Sequence, residues 1–198
     1  MGLAQKMDSS MAPDELRIST PRLELTALTT QDVEAIWPSV SNPVLAEHMS
    51  WNAHRSKDET LEFLKRIESD LATGKGITWA IRSRGEFCGI FSIINILISH
   101  RALHYHRGEL GYWCAIEMQG QGLMTEAGQS VIQFAFSKLG LNRLVVWHHL
   151  ENERSQKLIE RMGFKPIGIE HEAFMKNGRW IDTAMYELLK KDFFVCDQ

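Results

Sequence analysis

The chain has 198 residues, of which 44% are hydrophobic and 24% charged, enough for one globular domain with a substantial core. A formal net charge of -3, with basic residues interleaved among acids as in Lys57-Asp58-Glu59, provides no basic stripe and argues against nucleic acid as a direct partner. Its three cysteines, Cys88, Cys114 and Cys196, are widely spaced and odd in number, which argues against a disulfide framework or zinc ribbon and favours a reducing, cytoplasmic setting.

No apolar run reaches the length a bilayer-spanning helix needs, about 20 residues, and Met1 to Met11 does not read as a signal peptide. A single domain over residues 15–192 is expected, with 1–14 a flexible N-terminus and 193–198 a C-terminal tail. Leu16, Ile18, Leu23, Leu25 and Leu28, interrupted by Pro21, predict a broken extended segment containing a strand. Thr30 is expected to cap a helix that turns Val33, Ile36 and Trp37 inward and stops before Pro38. Residues 41–56 then read as irregular. A second helix is predicted from Asp58 to Thr73, with Leu61, Leu64, Ile67 and Leu71 at helical spacing and Gly74 as its stop.

Three β-rich runs follow, over residues 77–82, 87–96 and 108–116, the first two joined by the turn Ser83-Arg84-Gly85-Glu86. Apolar residues at Leu123, Ala127, Val131, Ala135 and Leu139 predict a long helix from Gly122, wide enough on its apolar side to lie on a sheet and ended by Gly140. A short strand at 144–147, a helix from Asn152 to Gly163, and strands at 166–174 and 180–188 complete the chain. The Asn177-Gly178 pair makes the last two strands a hairpin. The order implies an α+β fold with a mixed, mostly antiparallel sheet and one β-α-β unit in its middle.

Chemistry concentrates between Glu109 and Ala127. Gly120 and Gly122 stand between a strand and the long helix, where free N–H groups and the helix dipole favour an anion such as a pyrophosphate. A tight strand-to-helix turn accounts for the same two glycines. A P-loop is excluded because Leu123 and Met124 follow Gly122 where Lys and Ser or Thr are required. A dinucleotide fingerprint is disfavoured because Thr125 stands where a third glycine belongs.

Gln119-Gly120-Gln121-Gly122-Leu123-Met124 resembles the acyl-coenzyme A loop of the GNAT superfamily of acetyltransferases, departing from it only at Met124, where a small residue is usual. Gly-x-Gly-x-x-Thr-Glu-Ala, read here from Gly120 to Ala127, is similar to the ribosomal-protein N-acetyltransferase branch. So are the opening phrase Thr20-Pro21-Arg22-Leu23-Glu24-Leu25 and the later phrases Asn152-Glu153-Arg154-Ser155 and Arg161-Met162-Gly163-Phe164.

The resemblance implies the GNAT fold and transfer of acetyl from acetyl-CoA to a primary amine, a protein amino terminus in the first instance. Cys114, Ala115 and Ile116 would sit where two strands splay and hold the pantetheine arm. The backbone of Gln119, Gly120, Gln121, Gly122, Leu123, Met124 and Thr125 would take the pyrophosphate, and Asn152 would reach the arm, cap its helix, or do both. The acceptor must lose a proton, since an amino terminus has a pKa of about 8 and a lysine about 10.4.

Glu109, in Glu-Leu-Gly-Tyr-Trp, is the base the resemblance suggests. Ser155 stands where that branch offers a hydroxyl to the departing sulfur, Ile159 occupying the position at which many members carry a tyrosine. Met49, Trp51 and the Lys176 to Trp180 turn border the acceptor groove in the family, or pack core and surface. His100, His104 and His106, expected in or beside a loop, and the pair His148-His149 offer no convincing metal set, so no metal is expected. Cys114 reads as a buried apolar residue. Relatives with this loop also acetylate small amines or antibiotics, and a module that binds acyl-CoA without turnover remains an alternative. A homodimer through an edge strand or the Trp-bearing surface is compatible with the sequence, which leaves assembly open.

Overall fold

The structure, a computed structural model, describes residues 11–194, so the expectations for residues 1–10 and 195–198, Cys196 included, lie outside it. After a 3-10 turn at Pro13–Leu16, strands β1 (Ile18–Ser19) and β2 (Glu24–Ala27) pair antiparallel. The broken segment of the sequence is thus a fold-back, with Pro21 in its turn. Helices α1 (Val33–Val40), α2 (Pro43–Ala46) and α3 (Lys57–Ala72) come next, then strands β3 (Ile77–Ser83), β4 (Glu86–His100) and β5 (Leu103–Cys114). Helix α4 (Leu123–Ser137), strand β6 (Arg143–His149), helix α5 (Glu153–Arg161), strands β7 (Lys165–Lys176) and β8 (Arg179–Leu189) and helix α6 (Lys190–Phe193) follow.

Among the described residues these strands make one eight-stranded sheet in the order β1-β2-β3-β4-β5-β6-β8-β7. Every pairing is antiparallel except β5 with β6, which α4 connects as a crossover. The expected mixed, mostly antiparallel sheet flanked by helices is present. Asn177 (φ 52°) and Gly178 (φ 77°) both adopt the left-handed conformation that the β7–β8 turn demands.

Four local expectations are corrected. Helix α1 runs through Pro38 to Val40: the proline deletes one backbone donor, but the helix ends two residues later and Ile36 and Val40 stay buried beneath it. The cap of the preceding turn is Thr29, whose N–H donates to Asp32 Oδ2 at 2.9 Å, while Thr30 Oγ1 donates to Glu68 Oε1 at 3.1 Å across to α3. Within the supposedly irregular stretch, Asn42 caps the single turn of α2 by accepting from Val44 N. His100 flanks the two-residue turn at 101–102, but His104 and His106 lie within a paired strand, because β4 and β5 extend into a long hairpin in which Ser99 faces His104 and His100 faces Leu103.

Strand alternation sorts the interior into two cores, one on each face of the sheet. Trp79, Ile81, Phe91, Ile93 and Leu110 pack with Val131, Ile132 and Ala135 of α4. Ala80, Ile90 and Trp113, from the opposite face of the same strands, pack with Ile36 and Val40 of α1 and Leu64 of α3. Gly89 (φ 147°) lets β4 approach β5 closely, since a Cβ there would lie 2.2 Å from the Trp113 carbonyl oxygen.

Candidate active site

Strands β5 and β6 pair only from Arg107 opposite Arg143 to Glu109 opposite Val145. Beyond that point β5 runs on to Cys114 and β6 to His149 without pairing each other, so the sheet forks in its middle. A fork leaves strand-edge N–H and C=O groups seeking partners. A cleft of about 1410 Å³ opens there, walled by both strand ends, the Gln119 to Thr125 loop, the start of α5 and residues 44–51.

The loop is shaped by its glycines. Gly120 (φ 76°) and Gly122 (φ 74°) are left-handed, and a Cβ at Gly120 would meet nothing within 4 Å, so its requirement is conformational. Glu126 N donates to Gly122 O at 3.3 Å, whereas the N–H groups of Leu123, Met124 and Thr125 precede the first helical acceptor. Leu123 and Met124 turn their side chains into the core, which leaves backbone at the cleft. Amide donors at the positive end of α4 suit an anion, and the open edge of β5 suits an amide-bearing arm. Gln119 ties the pieces together: its Nε2 donates to Cys114 O at 3.3 Å and its Oε1 accepts from Arg154 Nη1 at 2.9 Å.

Of the residues singled out in the sequence, Met49, Trp51, Glu109, Cys114, Ile116, Gln119, Gly120, Gly122, Leu123, Met124, Thr125, Asn152 and Ser155 line this one cleft. Ala115 and Gln121 do not. The Ala115 N–H turns back to Cys88 O at 2.8 Å, and the Gln121 side chain turns back to Glu117 O at 3.3 Å. Asn152 is the cap of α5, its Oδ1 accepting from Ser155 N at 3.1 Å.

Glu109 stands at the fork. Trp147 Nε1 donates to one carboxylate oxygen at 2.8 Å and Asn95 Nδ2 to the other at 2.9 Å, fixing it between β4 and β6. Tyr112, three residues on and therefore on the other face of β5, lies within 5.1 Å of the Phe91 ring and shares a 2.8 Å hydrogen bond with Ser155 Oγ. Burial pushes the Tyr112 phenol up to about 12, with the bond to Ser155 offsetting part of the effect, so it stays neutral. Burial likewise pushes the Cys114 thiol up to about 12, which withholds the thiolate that a nucleophilic role requires.

The sequence assigned no role to Tyr112 or Trp147, weighed His149 only as a metal ligand, and placed Lys176 only within a turn expected to border the acceptor groove. The partners that define these four are remote in sequence. His149 stacks on Trp147 with nearly parallel rings, 6° apart in plane and 6.2 Å between centroids, and burial, aided by the charge of Lys176, holds its imidazole below the usual value. Lys176 Nζ donates to the carbonyls of Ala46 at 2.5 Å, Trp51 at 3.2 Å and Met49, clipping the wall that carries Met49 and Trp51 to the β7–β8 hairpin. Among the described residues no group of three or more His, Cys, Asp or Glu could hold a metal ion, and no helix is long and apolar enough to cross a membrane.

A family model described as an acetyltransferase (GNAT) domain matches residues 22–165. YoaA of Bacillus subtilis (strain 168), an N-acetyltransferase of uncharacterised role, is 29% identical over 175 residues, 87% of this chain and 96% of its own. YdaF of the same organism, provisionally assigned as a ribosomal N-acetyltransferase, is 34% identical over 118 residues, 60% of this chain and 62% of its own. The solved structure of RimL, a ribosomal alpha-N-protein acetyltransferase in complex with coenzyme A, superposes with a TM-score of 0.80 at 24% identity, covering 87% of this chain and 97% of that one, which speaks to the fold.

Proposed function

Since the chain belongs to the GNAT acetyltransferase family, we propose that its acceptor is the amino terminus of a protein and that Glu109 and Ser155 carry the proton traffic of the transfer. The observation that carries this reading is the fork: anion-binding amides, an open strand edge, a carboxylate and a hydroxyl all border one cleft. The residues fit an acyl-coenzyme A. Backbone donors at Gly120 to Thr125 would hold its pyrophosphate, and the edge of β5 near Cys114 its pantetheine arm. The coenzyme supplies the activated thioester.

Glu109 accepts the proton that the amine must lose, directly or through water, and each of its oxygens keeps a lone pair beyond its bond to Trp147 or Asn95. Main-chain N–H groups at the splayed end of β5 provide donors for the thioester oxygen. Ser155 presents its hydroxyl hydrogen to the departing sulfur. By alternation along β5, Glu109 lies on the α1–α3 face and the Tyr112–Ser155 pair on the α4 face, which supports separate roles for the proposed base and the proposed proton donor to sulfur. The names of YdaF and RimL support a protein amino terminus as acceptor. A small polyamine is the second reading, favoured by Glu47, Asp70 and Glu109 on the cleft wall.

The test is thiol release from acetyl-CoA with ribosomal amino-terminal peptides, polyamines and aminoglycosides as acceptors. Glu109→Gln and Ser155→Ala are expected to lower turnover by about tenfold or more while coenzyme binding persists, the size typical of lost acid-base help. Coenzyme binding without release for any acceptor would point to a module that binds acyl-CoA and does not turn it over.

A further inference from the structure

The phrase Thr20-Pro21-Arg22 lies about a hundred residues from the glycine loop in sequence and against its back in space. Glu126, in the first turn of α4, gathers most of it. Thr20 Oγ1 donates to Glu126 Oε1 at 2.5 Å, the Arg22 backbone N–H to the same oxygen at 3.0 Å, and Arg22 Nε to Oε2 at 2.5 Å. The guanidinium then reaches past the carboxylate: Arg22 Nη1 donates to the carbonyl of Gln121 at 3.0 Å, and Nη2 lies 3.6 Å from where a Gly122 Cβ would stand. One side chain therefore meets the turn from behind, bonded at Gln121 O and close beside Gly122.

Stability alone is a poor account of this network. The Arg22 side chain is 49% exposed, and ion pairs at such sites contribute little to folding. A carbonyl bonded from behind fixes its peptide plane. The plane joining Gln121 to Gly122 carries the N–H of Gly122 on its opposite side, so anchoring Gln121 O turns that N–H away from Arg22 and towards the cleft. Burial pushes the Glu126 carboxyl up, but the hydrogen bonds from Thr20 and Arg22 outweigh it and hold the group below the usual carboxylate value, which keeps Glu126 an ionised acceptor.

We infer that Arg22 and Glu126 are positioning residues for the coenzyme's pyrophosphate, orienting the loop amides from behind without touching the ligand. This rests on the proposed placement of the pyrophosphate at Gly120 to Thr125. Such a brace matters only to ligands that carry the group the loop binds, so the experiment compares two acyl donors. Coenzyme A affinity is measured by calorimetry, and turnover is followed with acetyl-CoA and with S-acetyl-pantetheine, which has no pyrophosphate, for the wild type, Arg22→Gln, Arg22→Lys and Glu126→Gln.

Arg22→Gln and Glu126→Gln are expected to weaken coenzyme A binding and raise KM for acetyl-CoA by about tenfold, with the acceptor KM and the kcat/KM for S-acetyl-pantetheine unchanged. Arg22→Lys, which keeps the charge but loses the fork, restores only part of the affinity. Equal losses with both donors would mean a general structural role and overturn the inference, as would variants that bind coenzyme A as the wild type does. A wild type that fails to bind coenzyme A would overturn the site placement itself.

Discussion

Two hydroxyls 2.8 Å apart can share only one hydrogen, and in the Tyr112–Ser155 pair the consequence falls on Ser155. If the buried phenol donates to Ser155 Oγ, the serine hydrogen is released to point into the cleft, where the departing sulfur is proposed to lie. Tyr112→Phe keeps the ring against Phe91 and removes that orientation. A neutral hydrogen bond contributes about 1 kcal/mol, so kcat should fall by roughly fivefold with little change in KM for acetyl-CoA. Steady-state kinetics of Tyr112→Phe, Ser155→Ala and the double variant check it. The double variant should be no slower than Ser155→Ala alone, and strictly multiplicative losses would show the two groups act independently. Glu109 and Ser155 were visible in the sequence through the phrases around them; Tyr112 was quoted in the same phrase, but its role depends on a helix that returns 43 residues later.

At the scale of elements, the wall bearing Met49 and Trp51, proposed to border the acceptor, depends on one ammonium group. Residues 46–51 leave α2 with three carbonyls turned to Lys176 Nζ, and burial holds that lysine's pKa below its usual value. Lys176→Met keeps the stem and deletes the donors. Hydrogen bonds to a charged group contribute about 1.5–3 kcal/mol, less here because Lys176 is only half-buried, so a Tm lower by about 3 °C is expected by calorimetry. The kinetic signature should be a several-fold higher acceptor KM with coenzyme A affinity unchanged, since the clip touches the wall bearing Met49 and Trp51 and not the glycine loop. The Asn-Gly turn that ends β7 was legible from two residues, whereas the landing of Lys176 on a segment 125–130 residues away was not.

For the whole molecule, two buried histidines tie folding to pH. His54, whose Nδ1 lies 2.9 Å from Thr60 Oγ1, and His149 both have pKa values lowered from 6.5, chiefly by burial. Around His54 stand Glu59, which opposes the shift, and Arg66, which adds to it; around His149 stand Lys176, His48 and His148, which add to it, and Glu151, which opposes it. The unfolded chain therefore binds more protons than the folded one as pH falls below about 6.5, and linkage makes stability drop on acidification through that window and level off above it. Tm measured from pH 7.5 to 5 should fall, and His54→Gln should flatten the slope; a slope unchanged by that substitution would remove His54 as a source.

Periodicity and punctuation in the sequence determined most of the secondary structure, the single crossover, and the loop on which the family assignment turns, because each is a local preference of a few residues. Glycine at 120 and 122 needs no tertiary partner to mark a turn into a helix. Tertiary structure alone decided where the sheet forks, which groups face each other across the fork, and what stands behind the loop. Strand pairing stops at Glu109 and Val145, and Arg22 meets Gln121, only after segments far apart in sequence are packed on both faces of one sheet, and no local pattern encodes that distance.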